Sequence, residues 1–236
     1  MERRIIDVHT HILPNVDDGS RGIEDTLTML KNAKKEGVTD IVFTPHFRLD
    51  MFLTPASEDK RVFNEVVSTA KQNGININFY LGQELHYSPK MLPLINSGEA
   101  LTINNGKYFL LEFSWHVPCD FVSIVKEYVE AGYTPIVVHF ERFPYYSLET
   151  VRAMKNAGAL MQINAFSLFK YEYPEHTPRA MEMLDNDLVD FIASDIHHYK
   201  KYFIKDAYEF ITQKYGEKRA KDLFANNALK ILGINE

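Results

Sequence analysis

Short apolar, β-branched runs alternate along the chain with longer amphipathic stretches. Seven such runs stand out: RRIIDVH from Arg3, DIVFT from Asp40, INFYL from Ile77, YFLLEF from Tyr108, TPIVVH from Thr134, ALMQIN from Ala159 and DFIAS from Asp190. Continuous apolar strands separated by helical patterns point to a parallel sheet covered by helices. The spacing predicts helices over Ile23 to Glu36, Ser57 to Asn73, Asp120 to Ala131, Ser147 to Asn156 and His176 to Asn186, with two more at the C-terminus. In the first, Ile23, Leu27, Leu30 and Ala33 or Lys34 share one face. KKEGV, KQNGI, EAGY and KNAGA each place a glycine where a helix must stop and lead into the next strand. No linker, low-complexity tract or exact repeat interrupts the alternation. It predicts one domain over residues 1–236, built as a (β/α) barrel with seven strands.

The reactive face of a parallel barrel is the C-terminal end of its strands, and there this chain places metal-ligand residue types. The first run closes on His9 and His11, and TPHF puts His46 after the second. GQELH puts Glu84 after the third, Glu112 lies in the fourth, and the fifth ends on His139. SDIHH carries Asp195, His197 and His198 after the seventh; only the sixth departs, ending on Asn164. A lone histidine or carboxylate at a strand end is ordinarily a surface or satisfied core residue. Six independent ends converging on one mouth would be costly to bury unless paired or metal-bound, so the set is read as a metal site. On a strand, residues two apart point to the same side, so His9 and His11 can grip one ion. Asp7 shares that parity and reads either as an acceptor for an imidazole N–H or as a structural hydrogen-bond partner.

Composition narrows the classes. The 236 residues are 45% hydrophobic, enough for a large core, and the formal charge of −6 argues against a nucleic-acid footprint. Cys119, the one cysteine, excludes an internal disulfide framework and a cysteine zinc cluster and fits a reducing, cytoplasmic setting. Asp7, His9 and His11 break the first apolar run too early for a secretory signal, and no run is long enough to span a membrane. Thiol phosphatase chemistry needs a C-x5-R loop, but the residue six after Cys119 is Val125.

DVHTHILPNVDDG, TPH, GQELHY, LLEFS, PIVVHFER, QIN and IASDIHH, in that order and over nearly the whole chain, resemble the polymerase and histidinol phosphatase (PHP) superfamily. More narrowly, the chain is similar to the manganese-dependent protein-tyrosine phosphatases of bacterial exopolysaccharide and capsule loci, the CpsB/YwqE type. The resemblance implies a distorted seven-stranded TIM-like barrel holding up to three divalent ions, with manganese favoured and Fe, Zn or Mg as alternatives. It assigns His9, His11, Glu84 and Asp195 to one ion, Glu84, Glu112 and His139 to a second, and Asp18, His46 and His197 to a third. Asp17 competes with Asp18. Three divalent ions exceed the four carboxylates by roughly two charges, so an acidic protein acquires an anion site. A water bridging the ions is expected to attack phosphorus without a phosphoenzyme.

Arg142, in the HFER stretch, is a candidate phosphate clamp, against the alternative of a surface salt bridge with Glu141. His198 and the YKKYF segment are candidates for a general acid or added positive charge. Lys200, in the last loop where the resembling enzymes often have arginine, and Arg48, the one arginine of TPHFRLDMF, are candidate substrate contacts. Tyr145, Tyr146, Phe166, Tyr171 and Tyr173 are a candidate aromatic rim, with ordinary packing as the alternative. The expected substrate is a phosphotyrosine protein, the resemblance pointing to the tail of a bacterial tyrosine kinase of polysaccharide assembly. A histidinol-phosphatase-like small-molecule phosphoesterase, a metal amidohydrolase and a non-catalytic PHP regulatory module are the rivals. The oligomeric state is left open.

Overall fold

The computed structural model describes residues 3–171, 173–198 and 200–234. In chain order the elements are β1 (Ile6–Asp7), α1 (Ile23–Lys35), β2 (Asp40–Phe43), β3 (His46–Phe47), α2 (Ala56–Gln72), β4 (Asn78–Leu81), β5 (Glu84–His86) and α3 (Met91–Ser97). Then follow β6 (Tyr108–Glu112), α4 (Phe121–Glu130), β7 (Thr134–Val138), α5 (Leu148–Asn156), β8 (Leu160–Asn164), α6 (His176–Asp185), β9 (Phe191–Ala193) and α7 (Ile204–Tyr215). A last helix is α8 (Glu217–Lys221) and α9 (Asn227–Leu232) joined by a π-helical turn over Asp222–Asn226.

All strand pairs are parallel, in two sheets of order β1-β2-β4 and β3-β5-β6-β7-β8-β9. The seven expected runs are all present, and the second and third are each continued, after a break, by a short strand that was not expected, β3 and β5. Run two divides at Thr44–Pro45, where proline has no N–H to give a ladder. Run three ends at Leu81, and β5 begins beyond Gly82–Gln83. Gly82 N donates to Phe43 O (2.8 Å) and Glu84 N to Pro45 O (3.0 Å), so pairing resumes beyond each break with His46 opposite Glu84. Beyond β9, Asp195 N donates to His9 O and His11 N to Ile196 O, each at 3.0 Å, which joins the last run to the first.

The buried apolar side chains divide by strand parity. Phe109, Leu111, Val137, Met161, Ile163 and Ile192 pack outward under the helices. Leu110, Ile136, Val138, Phe191 and Ala193 point inward with Ile6, Val8 and Val42, where Ala228, Leu229, Ile231 and Leu232 around α9 cover them. Each of the Leu, Ile, Val and Phe side chains, fully buried, contributes about 1.5–3 kcal/mol. This inward cluster fills one end of the space between the strands and leaves the other to polar groups: Glu112 lies two residues beyond Leu110, and Asp195 two beyond Ala193.

The four expected helix stops hold, with Gly37, Gly74, Gly132 and Gly158 all at φ between 69° and 108°. Asp120 and Ser147 cap α4 and α5, accepting the N–H of Ser123 and Thr150 at 3.1 Å. Helix α3 was not expected. It buries only Met91 and Ile95, too short a stripe to register as a period, and carries Pro93 in its first turn, where the missing N–H costs nothing. Among the described residues no helix is long and apolar enough to cross a membrane.

Candidate metal centre

Four imidazoles from three strand ends converge on Glu84. Its Oε2 lies 3.3 Å from His9 Nε2, 3.3 Å from His11 Nε2 and 2.9 Å from His46 Nδ1, while Oε1 lies 3.0 Å from His139 Nε2. Glu84, His9 and His11 are fully buried. The two facing nitrogens of His9 and His11 are only 3.1 Å apart. Their orientations are set from behind: His9 Nδ1 meets Gln162 Oε1 at 3.1 Å and His11 Nδ1 meets Asp17 Oδ2 at 2.8 Å. With both Nδ1 atoms donating, both Nε2 atoms present lone pairs to the same point. Glu84 Oε2 and His46 Nδ1 are buried and, despite their proximity, make no hydrogen bond. Converging lone pairs and orphaned acceptors are what a cation requires, so the residues present fit divalent ions.

Three sets of donor atoms lie close enough to share an ion: His9, His11 and Glu84; His46, Glu84 and Glu112; and His11, Asp18, His46 and His197. Asp195 approaches the first through Oδ1, at 3.4 Å from His11 Nε2 and 3.8 Å from His9 Nε2. Its Oδ2 is occupied by Asn164 Nδ2 (2.8 Å) and Arg142 Nη1 (3.0 Å), which turns Oδ1 inward. His139 lies 3.9 Å from Glu112. All nine expected ligands therefore meet in one place. The grouping is more shared than expected, since His46 reaches towards Glu84 as well as Asp18 (3.6 Å).

The two aspartates divide their roles. Asp17 has a fully shielded side chain whose Oδ2 serves His11 and the His46 N–H (3.0 Å). Asp18 is half exposed, its Oδ1 being 3.4 Å from His197 Nε2 and 3.6 Å from His46 Nε2. Only Asp18 stands among the converging donor atoms.

Charge in this cluster is balanced by proximity. Burial alone would raise the Glu84 carboxyl, but His9 and His46 beside it, with the hydrogen bond to His139, hold it well below the usual carboxylate range. Burial would lower His9 and His11, yet Glu84 and Asp195 for the first, and Asp17 chiefly for the second, raise both. The His197 imidazole is lowered, by burial and then by the neighbouring His11 charge. His139 (φ 37°) and Asp195 (φ 51°) both sit in the left-handed region, a strained backbone that aims each side chain off its strand end.

Several expectations change. Asp7 is not an imidazole acceptor: it takes the Ser194 N–H at 3.0 Å and the Tyr202 hydroxyl, and Gln162 has the role at His9 instead. Glu141 is not the salt-bridge partner of Arg142. It is fully buried and accepts the Asn164 N–H (2.9 Å) and the Ser167 hydroxyl (2.8 Å). His86 was missed: its Nδ1 lies 3.0 Å from Glu112 Oε2, and E-L-H repeats after Glu84 the alternate spacing of H-T-H. Gln162 and Asn164, polar at alternate positions of a buried strand, were the signal in the sixth run.

The substrate-side candidates are scattered more widely. Lys200 Nζ lies 3.6 Å from Asp195 Oδ2 and over the Phe166 ring. His198 Nδ1 donates to Gly19 O at 2.8 Å, and the ring lines a cavity of about 410 Å³ with Asp17, Asp18 and Arg21. Arg48 pairs with Asp50 at 2.8 Å on its own loop. The tyrosines form no single rim: Tyr146 bonds Glu182, Tyr171 packs on Phe203 and Tyr173 on His176, leaving Tyr145 among the exposed side chains. Tyr199 of the YKKYF segment lies outside the described residues.

Parallel α/β architecture with an imidazole and carboxylate cluster at the strand ends places the chain in a class of α/β proteins whose strand ends are built to hold metal ions. Residues 5–233 match the family model for capsular polysaccharide synthesis proteins of the CpsB/CapC type, and the chain belongs to that family. The tyrosine-protein phosphatase CpsB of Streptococcus agalactiae serotype III (strain NEM316) is 34% identical over 240 residues, 97% of this chain and 98% of that protein. The fold matches that of the YwqE (Bacillus subtilis) and CpsB (Streptococcus pneumoniae) crystal structures, metal-dependent tyrosine phosphatases, with a TM-score of 0.91, 24% identity and coverage of 98% of this chain and 96% of that chain. Histidinol phosphate phosphatase of Lactococcus lactis, solved with zinc, L-histidinol and phosphate, aligns at a TM-score of 0.60 with 15% identity, over 91% of this chain and 95% of that one.

Proposed function

We propose that the chain is a metal-dependent protein-tyrosine phosphatase, one domain over residues 1–236 closed as a distorted (β/α)7 barrel, acting in the cytoplasm on the tyrosine-rich tail of a capsule-assembly kinase. The observation that carries the reading is Glu84, a buried carboxylate with four imidazoles within 3.3 Å and an oxygen that no hydrogen bond satisfies. The closed barrel is supported by the bonds between the His9–His11 and Asp195–Ile196 segments.

His9, His11, Glu84 and Asp195 would hold one ion, Glu84, Glu112 and His139 a second, and Asp18, His46 and His197 a third, with manganese suited to this mixed donor set. Bound there, the ions supply an acidified water and positive charge for the phosphoryl oxygens. The chain's own groups do the rest. Gln162 and Asp17 fix the imidazoles of His9 and His11, and Asn164 fixes Asp195. Arg142, anchored by one nitrogen on Asp195, turns its remaining donors to phosphate. Lys200 adds positive charge at the same edge, Arg48 would bind the peptide beyond it, and His198 would pass a proton to the leaving phenolate.

Purified protein with added manganese should release phosphate from a phosphotyrosine peptide in preference to histidinol phosphate, and should leave N-acyl substrates intact. Chelation should abolish the activity and manganese restore it. Activity surviving His9→Ala combined with Asp195→Ala would sink the metal reading, and preference for histidinol phosphate would move the chain to the small-molecule branch. Kinase binding with no turnover would make it a regulatory module.

A further inference from the structure

Trp115 is the chain's one tryptophan. It lies in the loop that leaves β6 three residues after Glu112, half-buried between exposed His116 and Val117 on one side and the core on the other. Its ring covers the Arg142 guanidinium, with Cζ 4.5 Å from the ring centroid. Behind it stands the fully buried Phe143, with ring centroids 6.2 Å apart. Arg142 arrives from the strand-end turn Phe140–Arg142 that follows His139. Its Nη1 is tied to Asp195 Oδ2 at 3.0 Å, and its Nε is buried without a hydrogen bond.

We propose that Trp115 holds Arg142 in its anion-binding position by stacking on the guanidinium face, making it a positioning residue for phosphate and a built-in reporter of phosphate at the site. The inference rests on the reading of Arg142 as a phosphate ligand. A guanidinium has freedom to rotate about its long stem, and a single contact to Asp195 leaves the plane of the fork undetermined. The indole, braced by Phe143, fixes that plane. Cation–π attraction is strongest for tryptophan among the aromatic side chains and strengthens as the pair loses water, as here at the edge of a buried cluster. The donors not used by Asp195 are then presented in one orientation, and the buried Nε has an acceptor only when an anion or a water reaches it.

The test uses the manganese-loaded full chain and inorganic phosphate, the reaction product, as probe. Phosphate should shift the tryptophan emission saturably in the wild type, with the midpoint at its inhibition constant. Trp115→Leu should raise that constant, and the KM for p-nitrophenyl phosphate, about tenfold, with a smaller change in kcat and unchanged manganese affinity by calorimetry. Trp115→Phe, which keeps an aromatic face, should recover most of the loss. Emission that stays flat while phosphate inhibits, an unchanged inhibition constant in Trp115→Leu, or manganese affinity lost together with phosphate affinity would each overturn the proposal. A wild type that binds phosphate with an emission change but hydrolyses no phosphomonoester defeats the phosphatase reading and leaves the clamp standing. Hydrolysis with flat emission does the reverse.

Discussion

Asp17 Oδ2 accepts from His11 Nδ1 at 2.8 Å and from the His46 backbone N–H at 3.0 Å, so one carboxylate oxygen ties the loop after β1 to the opening of β3. Burial would raise the Asp17 carboxyl, but the His11 and His46 charges and the Gly19 N–H hold it below its usual value. Partners of this kind behind a ligand are worth about 10–100-fold in metal affinity. Asp17→Ala should therefore weaken manganese binding by about that factor without changing its stoichiometry at saturation. Asp18→Ala, by contrast, should remove one ion from the stoichiometry. Calorimetric titration with metal analysis separates the two, and the opposite pattern would exchange the roles of the two aspartates.

The glycine of the DDG stretch is required by contact. A Cβ on Gly19 would lie 2.0 Å from His11 O and 2.6 Å from His11 Cβ, closer than any real contact, and the nearer atom is backbone that also accepts the Ser20 N–H. Gly19→Ala must displace His11 or open the loop. The expected result is a lower melting temperature together with manganese affinity reduced at least as much as in Asp17→Ala. Gly22→Ala, with nothing within 4 Å of the added carbon, is the matched control and should leave metal affinity as it was. Equal effects of the two substitutions would show that close packing at Gly19 is not what matters.

The strand-end ligands could be read in advance because each closes an apolar run, and the runs are independent of one another. What lay beyond the pattern was the layer behind the ligands. Gln162 on His9 and Asn164 on Asp195 act between residues far apart in sequence, and local periodicity carries no information about such pairs. Asp7 shows the same limit: its alternate spacing with His9 was legible, but only the fold places Ser194 and Tyr202 against it. The breaks at Thr44–Pro45 and Gly82–Gln83 were written in residue types that interrupt strands.

One buried carboxylate outside the metal cluster makes a pH prediction. Asp59 on α2 is fully buried, with Oδ2 accepting from Gln83 Nε2 at 2.7 Å and Oδ1 unpaired. Burial, together with the charge of Asp17, pushes its carboxyl up to about 7 from the usual 3.8. Between those two values the folded chain holds a proton that the unfolded chain has released. Stability from this group is therefore fully present below about 4, falls as pH rises, and is lost above about 7. Asp59→Asn keeps the acceptor for Gln83 and removes the ionisation. Its melting temperature should exceed the wild-type value at pH 8, by about 2–4 °C for each kcal/mol recovered, and converge with it near pH 4. A difference that does not depend on pH would assign the effect to packing rather than to charge.

Glu141 stands between His139 and Arg142 yet points away from both, into the core. Its Oε1 accepts the Asn164 N–H and the Ser167 hydroxyl, while Arg179 Nη1 grips the carbonyls of Glu141 (3.3 Å) and Phe143 (2.8 Å) from outside. The turn carrying two site residues is thus stapled to the end of β8, the strand that supplies Gln162 and Asn164. Glu141→Ala leaves a buried N–H and a buried hydroxyl without partners, at about 1–3 kcal/mol each. It also frees the strained His139 backbone to relax. Denaturant unfolding should register the loss of stability, and phosphatase activity should fall further than the unfolded fraction explains, because His139 and Arg142 both move. Glu141→Gln preserves an acceptor at Oε1 and should retain most of the activity. If Glu141→Gln is as damaged as Glu141→Ala in activity while remaining as stable as the wild type, the carboxylate charge rather than the staple is what the site uses.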